Sequence, residues 1–224
     1  MFMGLLFLVV WLGLFIWRRD IRREMLIISV IFGFIGPFVE LVFTIDWWSP
    51  NFLFGFSHAG FEDVLFGFVC VGIAAVVYEV FFNKRLKIHR VSDGGGFRRN
   101  FIFVFILFLA LFLFFIFFFF FVFYSFYSSI FGGVIPIFII WFLRRDLIVN
   151  SLASGLILVV ITFFVYSVLE FLTPGWVFAF WHFSNVPKII IFNVPVDDLV
   201  WYFLAGLFIG PLYEFWQESK LVDA

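Results

Sequence analysis

Two pairs of adjacent acids, Glu62-Asp63 and Asp197-Asp198, each stand at the mouth of a long apolar run, 135 residues apart. A carboxyl group in an apolar surrounding tends to keep its proton. It can then act as a Brønsted acid toward a substrate with no polar handle, such as an alkene. Glu40 and Glu170, inside two further apolar runs, are expected to correspond to each other and to support the pairs. Asp63 and Asp198 are identical at equivalent positions and are the first candidates for proton transfer, with Glu62, Asp197, Glu40 and Glu170 beside them. A plainer reading competes: acids at a helix start complement the dipole and cap free N–H groups. Phe66 and Trp201, one turn after the acid pairs, are candidates for lining a pocket, and an aromatic face there could stabilise a cation.

The equivalence rests on an internal repeat. Residues 195–221 repeat 60–86 without a gap, which also aligns Phe203 with Phe68, Tyr213-Glu214 with Tyr78-Glu79, and Leu221 with Leu86. Upstream, Trp17-Arg18-Arg19-Asp20 recurs as Leu143-Arg144-Arg145-Asp146 at a spacing of 126, so the second copy gains 135 − 126 = 9 residues in between. Tyr78-Glu79 and Tyr213-Glu214 fall at the far ends of their runs, where they are expected to close the bundle or face water.

The chain is 65% hydrophobic, with 43 Phe among 224 residues, more apolar surface than a soluble domain of that length can bury. Its mean hydropathy of +1.19 agrees. Runs suited to spanning a bilayer lie at 2–17, 25–44, 61–82, 101–123, 126–143, 147–172 and 195–216. Seven helices are therefore expected; the weak break at 124–129 leaves six as the alternative. The first run has neither a basic leader nor a small-residue cleavage site and reads as a retained helix. Of the 14 Lys and Arg, all but Lys188 fall on one side in a seven-helix arrangement, which puts the N-terminus outside and the C-terminus in the cytoplasm. Seven acids (Glu40, Asp46, Glu62, Asp63, Glu170, Asp197 and Asp198) then face Lys188 alone.

The expected architecture is all-α and transmembrane: a seven-helix bundle of two parallel three-helix repeats, 1–86 and 126–224, joined by a cytoplasmic loop and connecting helix at 87–125. Three spans reverse the chain and the fourth restores it, so the copies share one orientation about an axis along the membrane normal. The polar linker 83–100, with Asp93-Gly94-Gly95-Gly96, is the expected loop, its basic residues placed to touch anionic lipid. Cys70 reads as packing. Trp47-Trp48, Trp176 and Trp181 fit an outer interfacial belt, and the Phe-rich run 101–123 fits a lipid-facing helix. His58 and His182 are loop histidines, and without HxxxH, CxxC or an aspartate-rich diphosphate motif no metal is expected. A retinal protein needs a lysine in its last helix, and 195–216 contains none.

Three segments carry a family resemblance: Gly36-Pro37-Phe38-Val39-Glu40, Phe61-Glu62-Asp63-Val64-Leu65-Phe66-Gly67-Phe68, and Val194-Pro195-Val196-Asp197-Asp198-Leu199-Val200-Trp201. They resemble the repeated motifs of the membrane-integral lycopene cyclase domain, found as two small subunits in some bacteria and fused to phytoene synthase in fungi. The resemblance extends over nearly the whole chain. It implies cofactor-independent cyclisation of a linear carotenoid end group, an isomerisation. Members commonly show a Pro-x-Glu-Glu-like pair; here the first copy has Glu62-Asp63 without the proline, and the second has Asp197-Asp198 with Pro195. Fungal membrane terpene cyclases look similar in size and acidic logic, which widens the substrate to long isoprenoids. No flavin or nicotinamide is required by the net reaction, and no dinucleotide fingerprint occurs. The partners expected are a linear carotenoid or other long isoprenoid and membrane lipid, with no nucleic acid. The rival from another class is a non-catalytic carotenoid- or lipid-binding scaffold. An ion pathway is disfavoured, because 61–82 and 195–216 are almost wholly apolar between their polar ends.

Overall fold

The computed structural model describes residues 2–52, 59–87 and 95–223. His58 and Asp93-Gly94 lie outside the described residues. Helices dominate: α1 (Phe2–Trp17), α2 (Arg22–Asp46), α3 (Phe61–Phe81), α4 (Gly95–Phe119), α5 (Ser125–Leu143), α6 (Ile148–Leu172), the short α7 (Trp176–Phe180), α8 (Val196–Ile209) and α9 (Leu212–Gln217). Among the described residues six segments are long and apolar enough to cross a membrane, with α8 and α9 counting as one. The protein is membrane-integral. The helix α1 has 16 residues, and at 1.5 Å per residue it rises about 24 Å, less than the roughly 30 Å hydrocarbon core. Gly210-Pro211 divides the last span into α8 and α9, since proline offers no N–H to continue the ladder.

Neighbours in the bundle come in matched sets. The helix α3 packs on α2 and α1, α8 packs on α6 and α5, and α3 also meets α8. Small residues permit the closest approaches, as membrane helices without a hydrophobic drive between them require. A Cβ on Gly67 would stand 2.6 Å from the Phe32 carbonyl oxygen, and one on Gly206 would stand 2.6 Å from the Gly155 Cα. The residues from Val69 to Val77 of α3 are all buried. By contrast α4 turns Phe101, Phe108, Phe112 and Phe119 outward and packs on α5 and α9, as its lipid-facing composition implies.

At one end of the bundle, strand β1 (Lys84–Lys87) pairs antiparallel with β4 (Lys220–Asp223), and Leu86 lies opposite Leu221. The helix junctions there are built alike. Arg18 forks onto both oxygens of Asp20 and reaches the Lys84 carbonyl, while Arg144 forks onto Asp146 and reaches the Ser219 carbonyl. The bidentate bond from Arg18 holds the Asp20 carboxyl below its ordinary range.

At the other end two loops fold over the helix tips. The Ser49 N–H donates to Phe180 O and the His182 N–H to Trp47 O, at 2.8 Å each. Ser49 and His182 are also joined side chain to side chain at 2.7 Å. These bonds carry Trp47, Trp176 and Trp181 into buried positions. They therefore cover the bundle end and do not form the expected interfacial belt. A second small ribbon, β2 (Ile190–Ile191) with β3 (Val194–Pro195), leads into α8.

Candidate active site

Beneath that cover a cavity of about 240 Å³ opens among α1, α2, α3, α4, α5, α6 and α8. Glu40 of α2, Asp63 of α3 and Asp198 of α8 all line it, as do Phe66 and Trp201. Apart from Ser129 and the hydroxyls of Tyr166 and Tyr202, the rest of its wall is apolar and rich in aromatic rings, including Phe43, Trp47 and Trp48. It is smaller than the roughly 300–1,000 Å³ of sites that enclose a whole drug-sized ligand. It suits the end of a longer apolar molecule.

The two aspartates arrive by different local chemistry. Asp63 is the third residue of α3, and its Oδ2 accepts the Gly60 N–H at 2.7 Å. The corresponding residue before α8 is Pro195, which has no N–H to give. Asp198 Oδ2 accepts instead from the Tyr166 hydroxyl of α6. Both aspartates are only 7% exposed, so capping and cavity lining coexist at Asp63. Phe66 and Trp201, equivalent at 135 residues, stack with ring centroids 6.3 Å apart and planes 27° apart. Phe43 meets Trp201 edge to face at 6.3 Å.

Other expected site residues lie elsewhere. Asp197 is fully buried but off the cavity wall, and its Oδ2 accepts the Trp47 indole N–H at 2.6 Å. It thus anchors a cavity ring and does not face the cavity itself. Glu62 also stays off the wall; its carboxylate folds back against Gly60, where an added Cβ would come within 2.5 Å of Oε2. Glu170 is a correction. It accepts the Gly175 N–H at 2.9 Å, closing the turn after α6, and does not line the cavity. Nor is it the counterpart of Glu40. The helices α2 and α6 both have 25 residues and start 148 − 22 = 126 apart, so Glu40 corresponds to Tyr166. Applying the Arg-Arg-Asp spacing of 126 along α6 was the signal that could have found Tyr166.

At the opposite end, Glu79 and Glu214 are fully buried and neither face water nor touch the cavity.

The fold and cavity define a membrane-integral helical protein with carboxylates set in an aromatic pocket. Residues 124–216, from the residue before α5 to α9, match the family model described as lycopene cyclase. No curated protein and no solved structure matches the chain.

Proposed function

We propose that this protein is a carotenoid cyclase that closes a ring on the end group of a linear, lycopene-type isoprenoid by proton transfer alone. The observation that carries the reading is the meeting of Asp63 and Asp198, from the two sequence copies, on one aromatic cavity. The lycopene cyclase match over 124–216 supports the substrate class.

In the reaction, an acid delivers its proton to the terminal trisubstituted double bond and leaves a tertiary cation. The π electrons of the neighbouring alkene form the new carbon–carbon bond of a six-membered ring. A carboxylate then takes a proton from the carbon beside the new cation, which restores a double bond. Atoms and electrons balance, so the net change is an isomerisation with no redox partner. Asp63 and Asp198 carry the proton steps, Glu40 and Tyr166 flank them, and the faces of Trp201 and Phe66 stabilise the cation. Glu62 and Asp197 shape the helix starts behind them.

The same proposal includes the arrangement of the bundle. Spans α1–α3 and α5, α6 and α8–α9 form two parallel three-helix units, 1–86 and 126–224, with α4 connecting. The N-terminus is outside and the C-terminus cytoplasmic. The matched helix contacts and the Leu86–Leu221 pairing, in which each residue faces its own equivalent, support it.

The test is expression in lycopene-accumulating cells with chromatography of the pigments. Cyclised carotenoid is the expected product. Unchanged lycopene beside folded, membrane-inserted protein would move the reading to another long isoprenoid or to a binding scaffold.

A further inference from the structure

Three carboxylates meet in the bundle interior far from the cavity. Glu24 of α2, Glu79 of α3 and Glu214 of α9 each place an oxygen within 4.8 Å of the others, and all three are at most 1% exposed. Glu79 stands 79 − 63 = 16 residues along α3 from Asp63, which at 1.5 Å per residue is about 24 Å away. Both oxygens of Glu24, both of Glu79 and Oε2 of Glu214 are buried with no hydrogen-bond donor from outside the three acids. Among the described residues no Lys, Arg or His forms a salt bridge with any of them. The guanidinium of Arg18 reaches only the Glu79 carbonyl and is otherwise held by Asp20, Asn83 and Lys84.

Such a set is costly as it stands, because a buried charge needs a partner and a buried polar atom needs a hydrogen bond. From this geometry we propose that Glu24, Glu79 and Glu214 bind one hard divalent cation of the calcium, magnesium or manganese class. Oxygens on a shell of about 2.3–2.6 Å radius, as around calcium, lie at most about 4.6–5.2 Å apart, so a spread of up to 4.8 Å suits a calcium-sized ion, and a smaller ion would draw the oxygens closer. An all-carboxylate donor set selects a hard ion over softer transition metals.

The fourth corner explains why there are three acids. Glu79 and Glu214 are equivalent at 135, and Glu24 is equivalent at 126 to Asn150. Asn150 is buried, donates through Nδ2 to Glu214 Oε1, and accepts the Ser154 hydroxyl at 3.0 Å. It therefore orients Glu214 and leaves Oε2 for the ion. The ion would tie α2 and α3 to α9, joining the two copies at the end opposite the cavity.

The experiment uses the full chain purified in detergent, stripped with chelator and titrated with Mn²⁺, with free Mn²⁺ followed by paramagnetic resonance. About one Mn²⁺ per chain should bind, Ca²⁺ should compete, and Tm should rise with either. Glu79→Gln and Glu214→Gln should abolish binding, and Glu24→Gln, which copies the amide already tolerated at Asn150, should weaken it at least tenfold. Asn150→Asp should tighten it. Asp223→Asn, at an exposed acid, should bind like the parent. No bound Mn²⁺ in the folded parent overturns the proposal. So does parental binding in all three Gln variants.

Discussion

The starts of α3 and α8 share a sequence pattern at a spacing of 135 yet hold their aspartates differently. Before α3, Gly60 supplies an N–H that occupies one oxygen of Asp63. Before α8, Pro195 withholds it, and Asp198 turns to the Tyr166 hydroxyl. The flanking groups diverge in step: Glu40 in α2 stands where Tyr166 stands in α6. At the far end the same order holds, with Glu24 in the first copy and Asn150 in the second. Under the proposed two-unit arrangement the frames are alike, and single residue differences make the environments unequal. Inequality of this kind would suit the proposed reaction, in which one group donates a proton and another removes one.

The largest effect should come from Asp198→Asn. It keeps size and hydrogen bonding but removes the transferable proton, so cyclised product per folded protein should fall about 10²–10⁴-fold. Asp63→Asn should lose activity in the same range if both copies contribute. Parental activity in either variant would make the site one-sided, and parental activity in both would leave the aspartates structural.

Next comes Tyr166→Phe, which deletes the hydroxyl on Asp198. A hydrogen bond to a charged group is worth about 1.5–3 kcal/mol, or roughly 10–150-fold in rate, and the loss should stay below that of Asp198→Asn. A variant as active as the parent would remove Tyr166 from the site.

Stability separates the two starts further. Asp63→Ala removes the cap on Gly60 and should cost about 0.5–2 kcal/mol, whereas Asp63→Asn, which still accepts the N–H, should cost less. Thermal unfolding in detergent measures both. If Asp63→Ala unfolds at the parental temperature, the cap contributes nothing.

Smallest should be Pro195→Ala, which gives the second copy the N–H that Gly60 gives the first. The new donor competes with Tyr166 for Asp198. One neutral hydrogen bond of about 1 kcal/mol sets the expected loss of activity at roughly fivefold. An unchanged or raised rate would break the comparison between the two starts.

Much of this was legible in the residues. Hydropathy determined a membrane-integral helical protein, because a backbone with no water to bond must satisfy itself within helices. The offset of 135 paired Asp63 with Asp198 and Phe66 with Trp201, and all four line the cavity. The repeat could do this because neighbouring positions on a helix keep their relative directions wherever the helix is placed. Which acids turn inward was another matter. Adjacent residues on a helix point about 100° apart, so Glu62 and Asp197 could not both share a direction with Asp63 and Asp198. Only the packing of α3 against α8 decided which member of each pair met the cavity. Glu170 was misread because an acid in an apolar run carries no mark of whether it closes a turn or lines a cavity. The triad of Glu24, Glu79 and Glu214 was equally hidden, since its members come from three helices as much as 190 residues apart (214 − 24). Sequence spacing fixes direction within a helix, and contact between helices is settled by where small residues such as Gly67 and Gly206 let backbones touch.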